Sequence, residues 1–131
     1  MCIFGEARGC NNIIKNYVAL TVLTRRLIGG WYGDTIMEVV TKNYQFSCFN
    51  PDDPNFVKIQ NPFEYELDCI FDNCIDIAGK LLNTFSNPYN LYCLDFCPTH
   101  FFSGDVYPNW ASEYMLLKTI ENFKFYRAGK L

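Results

Sequence analysis

The chain changes hydrophobic period part-way along, and this change constrains its fold more than any other feature. From about Asn12 to Ile28, residues Ile13, Ile14, Tyr17, Val18, Thr21 and Val22 recur at helical spacing. Arg25 and Arg26 fall in the last turns, where positive charge suits the helix dipole, and Gly29-Gly30 ends the run. Thr35-x-x-Glu38 has the form of a capping box and predicts a short helix through Val40. Residues 47–62 hold three prolines among Asn and Asp and read as a surface loop. A second long helix is predicted from Phe63 to about Phe85, with Leu67, Ile70, Phe71, Cys74, Ile75, Ala78 and Leu82 as its apolar stripe. Asn87-Pro88 marks the turn after it.

The last third reads as strands. Leu91–Phe96 and the region of Phe101 are aromatic and apolar enough for short ones. Leu116–Ile120 and Phe123–Tyr126, separated by Glu121-Asn122, predict a hairpin. Helices followed by a small antiparallel sheet define an α+β architecture. With no internal repeat, low-complexity tract or charged linker, the 131 residues read as one domain, 1–131. In that arrangement the sheet would form one wall of a cleft and the helix after Glu6 the other.

Composition narrows the function classes. Half the chain is hydrophobic and 18% is aromatic, which argues for a packed core and against disorder. A net charge of −3 leaves no electrostatic footprint for nucleic acid. It does not favour an acidic polymer either, so binding would come from a shaped groove. No basic segment followed by an apolar stretch opens the chain, and no run approaches transmembrane length. The expectation is a protein made in the cytoplasm without a signal peptide and without stable membrane insertion. The cysteines (Cys2, Cys10, Cys48, Cys69, Cys74, Cys93 and Cys97) are odd in number and irregular in spacing, and read as reduced, mostly buried thiols. Cys69-x4-Cys74 and Cys93-x3-Cys97 contain no Cys-x2-Cys pair and the chain has one histidine, so no metal and no cofactor is expected.

Phe4-Gly5-Glu6-Ala7-Arg8-Gly9 sets one carboxylate between a glycine and a small residue, just ahead of the first long helix. A carboxyl group at a helix mouth, walled by apolar neighbours, has a raised pKa and can serve as an acid. Taken alone, Glu6 reads as a solvated or capping carboxylate of a first turn.

Later blocks change that reading. Gly5-Glu6-Ala7-Arg8-Gly9, then Val18-Ala19-Leu20-Thr21-Val22-Leu23-Thr24-Arg25, then Gln45-Phe46-Ser47 follow one another in order. Thr99-His100-Phe101, Pro108-x-Trp110-Ala111, Ile120 and Phe125-Tyr126 complete the series. In these blocks the chain resembles the catalytic domain of the SleB-type, spore cortex-lytic cell-wall hydrolases. The resemblance implies a lysozyme-like fold and cleavage of peptidoglycan glycan strands at the MurNAc-GlcNAc β-1,4 bond by lytic transglycosylation. It implies that Glu6 is the catalytic acid and base. Substrate contacts are expected from Gln45, Ser47, Thr99, His100, Phe101 and Tyr126. The sequence departs from the family at Cys10, where a further Glu is usual, and at Ile13-Ile14 in place of a Glu-Gly pair. Cys97-Pro98 replaces Gly-Ala, and Phe101-Phe102 replaces a tyrosine and a polar residue.

A hydrolase working through two carboxylates needs a second one to activate water or attack the sugar. A lytic transglycosylase does not, because the substrate's own N-acetyl group and 6-hydroxyl can serve. Asp34, in a helix-start context, and Asp105, in a turn context, are the alternatives for a second carboxylate, and both read as structural. Gln45 and Ser47 either hydrogen-bond sugar groups or satisfy a loop backbone. His100 is either a packed residue or a cleft residue, Trp110 reads as an anchor, Phe46 as core, and Tyr126 as cleft-facing or strand-ending. The expected setting is a phage or prophage lysis protein, a lysin carried in a virion, or a wall enzyme exported by another route. The alternatives are a muramidase-type hydrolase and a catalytically inactive wall-binding or virion structural protein.

Overall fold

The computed structural model describes residues 1–65 and 69–129. Its central element is α2 (Asn12–Ile28), which is apolar on almost every face. Ala19 and Val22 enter one core cluster with Phe4, Val39, Phe46 and Cys48. Ile14 and Val18 enter a second with Ala7, Phe123 and Phe125, and Leu20 and Leu23 a third with Phe85, Leu91 and Cys97. A helix buried on so many sides is stabilised by packing rather than propensity. Its start is capped by Asn11, whose Oδ1 accepts from the Ile14 N–H at 2.9 Å, and Gly29 ends it at φ 66°.

Around α2 lie α1 (Cys2–Ala7), α3 (Ile36–Thr41), α4 (Asn55–Gln60), α5 (Pro62–Tyr65) and α6 (Ile70–Thr84). A three-stranded antiparallel sheet follows, formed by β1 (His100–Ser103), β2 (Met115–Ile120) and β3 (Phe123–Arg127) in the order β1-β3-β2. The α+β architecture is as expected. Thr35 caps α3 through the reciprocal bonds of a capping box, and the β2–β3 hairpin turns at Glu121-Asn122 with Glu121 at φ 52°. Phe123 and Phe125 point from β3 into the α2 core. On the opposite face Tyr126 stacks on Phe102, with ring centroids 5.9 Å apart, and meets Trp110 edge-on.

Three expectations are corrected. The segment 47–62 is not a plain loop, since it carries a short 3₁₀ turn at Ser47–Phe49, all of α4, and the first residue of α5. Pro54 caps α4 and Pro62 opens α5, positions where a missing N–H costs little, and buried Ile59 pins α4 to the core. The predicted helix 63–85 is two helices. Cys69, at φ 59°, stands in the left-handed region just before α6 begins at Ile70, and Leu67 lies outside the described residues. The buried stripe of α6 runs through Ile70, Phe71, Cys74, Ile77, Ala78 and Leu81, whereas Ile75 and Leu82 are exposed. Residues 91–96 form no strand. Asn87 Oδ1 accepts from the Tyr89 N–H and Pro88 opens a 3₁₀ turn, Pro88–Cys93, which buries Leu91. The Cys97 thiol then donates to the Leu91 carbonyl at 3.1 Å.

Candidate functional site

A cleft of about 640 Å³ opens beside β1, and a recess of about 260 Å³ adjoins it. The two share Arg25, Tyr44, Gln45, Phe101 and Phe102 and make one groove. The sheet supplies one wall, as expected. The facing wall is the segment Tyr44–Ser47, and α2 contributes the Arg25 floor.

Glu6 lines the recess from the last turn of α1, not from the mouth of α2. It reaches the recess because α1 presses against the Ser47–Phe49 turn and α4 with no side chain at position 5. A Cβ on Gly5 would lie 2.6 Å from Cys48 Cβ and Sγ and 2.9 Å from Ile59 Cγ2. The Cys48 N–H donates to Glu6 Oε1 at 3.2 Å. Burial is the largest influence on the Glu6 pKa and raises it; the Cys48 hydrogen bonds and Arg25 pull against that rise and Asp53 adds to it. The carboxyl is therefore held toward its protonated form. Among the described residues, Glu6 is the one carboxylate that lines either part of the groove.

Arg25 is the element that sequence reasoning misses. Its guanidinium is buried and sits over the rings of Phe46, 4.9 Å from the centroid, and Tyr32, at 5.3 Å. Its Nε donates to the Thr99 carbonyl at 2.7 Å and Nη1 to Gln45 Oε1 at 3.3 Å, joining the two walls through one planar fork. A signal exists: Arg25 continues the Val18–Val22 row of α2 and so faces inward.

The other predicted site residues divide. Gln45, Ser47 and Phe101 line the recess beside Glu6, and His100 lines the larger part with Gln45 and Phe101. Thr99 and Tyr126, also expected to contact substrate, are buried behind the β1 wall and line neither part. Their depth follows from the sheet: the Thr99 N–H donates to the Tyr126 carbonyl, while the Ala128 N–H donates to Thr99 Oγ1. Trp110 is both anchor and lining, packed on Tyr126 and on His100. Asp34 Oδ1 accepts from the Gly30 N–H and caps a turn, and Asp105 lies exposed; neither lines the groove. Trp31, Tyr32, Tyr44 and Tyr114 line the larger part without having been singled out by the sequence. Tyr44, at φ 62° and 83% exposed, is a bulky residue held in the left-handed region at the rim of the groove.

His100 is ringed by Tyr32, Trp110 and Tyr114, and burial together with Arg25 lowers its pKa to about 4, leaving the imidazole neutral at pH 7. The cysteines of Cys69-x4-Cys74 and Cys93-x3-Cys97 are spread apart: Cys74 and Cys97 are buried in different core clusters, and Cys69 and Cys93 are exposed. Among the described residues no helix is long and apolar enough to cross a membrane. In comparisons with family models, curated proteins and solved structures, none matches this chain.

Proposed function

We propose that this chain is a peptidoglycan-degrading enzyme of lysozyme-like fold, cleaving the MurNAc-GlcNAc bond by lytic transglycosylation. The observation that carries the reading is Glu6, a carboxyl group with a raised pKa, set alone in an aromatic-walled groove. A carboxyl group whose pKa is raised by burial can give its proton to a glycosidic oxygen as the C1–O bond breaks. The N-acetyl carbonyl can shelter the electron-poor C1. The muramic 6-hydroxyl then attacks C1 and returns its proton to the Glu6 carboxylate, so the acid is restored and no water is consumed. The product carries a 1,6-anhydro ring. The absence of a second carboxylate from the described lining favours this route over a hydrolase with paired carboxylates.

Gln45 and Ser47 stand where they can hydrogen-bond the sugar beside Glu6, and Phe101 gives that sugar an apolar wall. The reading extends to a setting in phage or prophage lysis, or in a virion. Its test is the solubilisation of purified peptidoglycan by wild-type protein and by Glu6→Gln. Loss of release with wall binding retained supports the assignment. Equal behaviour of the two proteins would instead mark a wall-binding or structural protein without turnover.

A further inference from the structure

Arg25 is 4% exposed, yet it lines both parts of the groove. Its guanidinium carries more N–H donors than the chain uses. Nε donates to the Thr99 carbonyl at 2.7 Å, and Nη1 donates to Gln45 Oε1 at 3.3 Å. Among the described residues nothing accepts from Nη2. That nitrogen is not sealed into the core as Arg127 Nε is, so its free donors face the groove.

The cation also lacks a counter-ion. Among the described residues no carboxylate forms an ion pair with Arg25. Glu6 acts on it from beyond ion-pair distance, and burial holds that carboxyl toward its neutral form. The Phe46 and Tyr32 rings and the Thr99 carbonyl offset part of the cost of burying the charge. The rest stands until an anion meets it. His100 adds no charge at pH 7, and among the described residues no lysine and no second arginine lines either part. The groove therefore holds one uncompensated positive charge, although the chain as a whole carries −3.

We propose that Arg25 binds a carboxylate of the wall substrate, the lactyl carboxylate of the muramic residue whose glycosidic bond Glu6 protonates. Arg25 and Glu6 line the same recess, so a group held by one belongs to the sugar presented to the other. Where a strand carries stem peptides, the lactyl carboxyl is tied up as an amide. It is an anion only where the peptide has been removed. A guanidinium pairs with a carboxylate through charge-assisted bonds, and with an amide carbonyl only as with any neutral acceptor. The preferred substrate is then a peptide-free strand. The reaction that supplies it is hydrolysis of the muramoyl–peptide amide, in which water splits that bond into the lactyl carboxylate and a peptide amine. The inference rests on the groove being a glycan site and names the strands it takes.

The test is calorimetric titration of the full chain carrying Glu6→Gln, so that ligands are not turned over. The ligands are a GlcNAc-MurNAc tetrasaccharide with free lactyl carboxylates, the same tetrasaccharide with those groups converted to N-methylamides, and the same bearing stem peptides. The free acid should bind about ten-fold tighter than the methylamide, and the gap should narrow as salt is added. The peptide-bearing form should bind like the methylamide. Adding Arg25→Gln should bring acid and methylamide to equal affinity. That change also removes the tie between the walls, so the comparison of ligands on one protein carries the test if the variant fails to fold. Equal affinity for acid and methylamide overturns the proposal, as does no binding of the acid at millimolar concentration. A peptide-bearing form that binds as tightly as the free acid would place the carboxylate on the peptide and overturn the lactyl assignment. If wild-type protein fails to cleave purified wall while the preference for the acid holds, the enzymatic reading falls and this inference stands. Cleavage of wall together with equal affinities would do the reverse.

Discussion

The backbone N–H of Cys48 donates to Glu6 Oε1 at 3.2 Å, tying the last turn of α1 to the Ser47–Phe49 turn across 42 residues of sequence. The bond orients the groove's carboxyl group, and it exists only because Gly5 lets the two segments touch. A methyl group at position 5 would meet both Cβ and Sγ of Cys48. Gly5→Ala should therefore cost about 1–3 kcal/mol by overpacking and lower activity further by displacing Glu6. Chemical denaturation and a wall-lysis assay check this; a variant with wild-type stability would mean the contact relaxes without cost.

Glu6 also leaves a mark on stability. Burial raises its pKa, so the folded state holds that proton more tightly than the unfolded chain does. The resulting stability is fully present below the unfolded carboxyl pKa and is lost as pH rises through the folded one. Glu6→Gln, which has nothing to ionise, should gain in Tm relative to wild type as pH rises from 4 to 8. A difference that does not change with pH would contradict a desolvated carboxyl.

His100 acts in the opposite sense. Its pKa falls from 6.5 to about 4 in the folded state, so its contribution is present above the unfolded value and is lost as pH falls through the folded one. Over that window His100→Gln should lose less stability than wild type. Parallel pH–stability curves for the two proteins would show that the imidazole is not desolvated.

Arg25 holds the walls together. Arg25→Met would free Gln45 and strip the buried Thr99 carbonyl of its donor, and an unsatisfied buried group costs about 1–3 kcal/mol. Arg25→Lys should restore little, because an ammonium cannot make the forked contact while lying flat between Phe46 and Tyr32. Full recovery of stability in Arg25→Lys would show that charge alone suffices.

Much of this arrangement is legible in the chain, for identifiable reasons. The faces of α2, the capping box at Thr35 and the β2–β3 hairpin are local, since each is set by spacing and turn chemistry within a few residues. The meeting of Glu6 with Gln45 and Ser47 is legible only as a resemblance, because it depends on how α1 docks on a distant turn. Residues 91–96 mislead because an apolar aromatic run serves a 3₁₀ turn as well as a strand, and Asn87-Pro88 decides between them. Arg25 misleads because a cation near a helix end satisfies the helix dipole equally well on the surface or buried. Thr99 carries the chemistry of a substrate contact yet serves inside, where Ala128, Tyr126 and His100 converge on its hydroxyl.

The most direct test of the central claim is mass spectrometry of purified peptidoglycan digested with wild-type protein and with Glu6→Gln. The account predicts 1,6-anhydro-muramic products from the wild type and none from the variant. Muramic reducing ends from the wild type would make water the acceptor and contradict the single-carboxylate mechanism, and soluble products from Glu6→Gln at the wild-type rate would remove Glu6 from the chemistry.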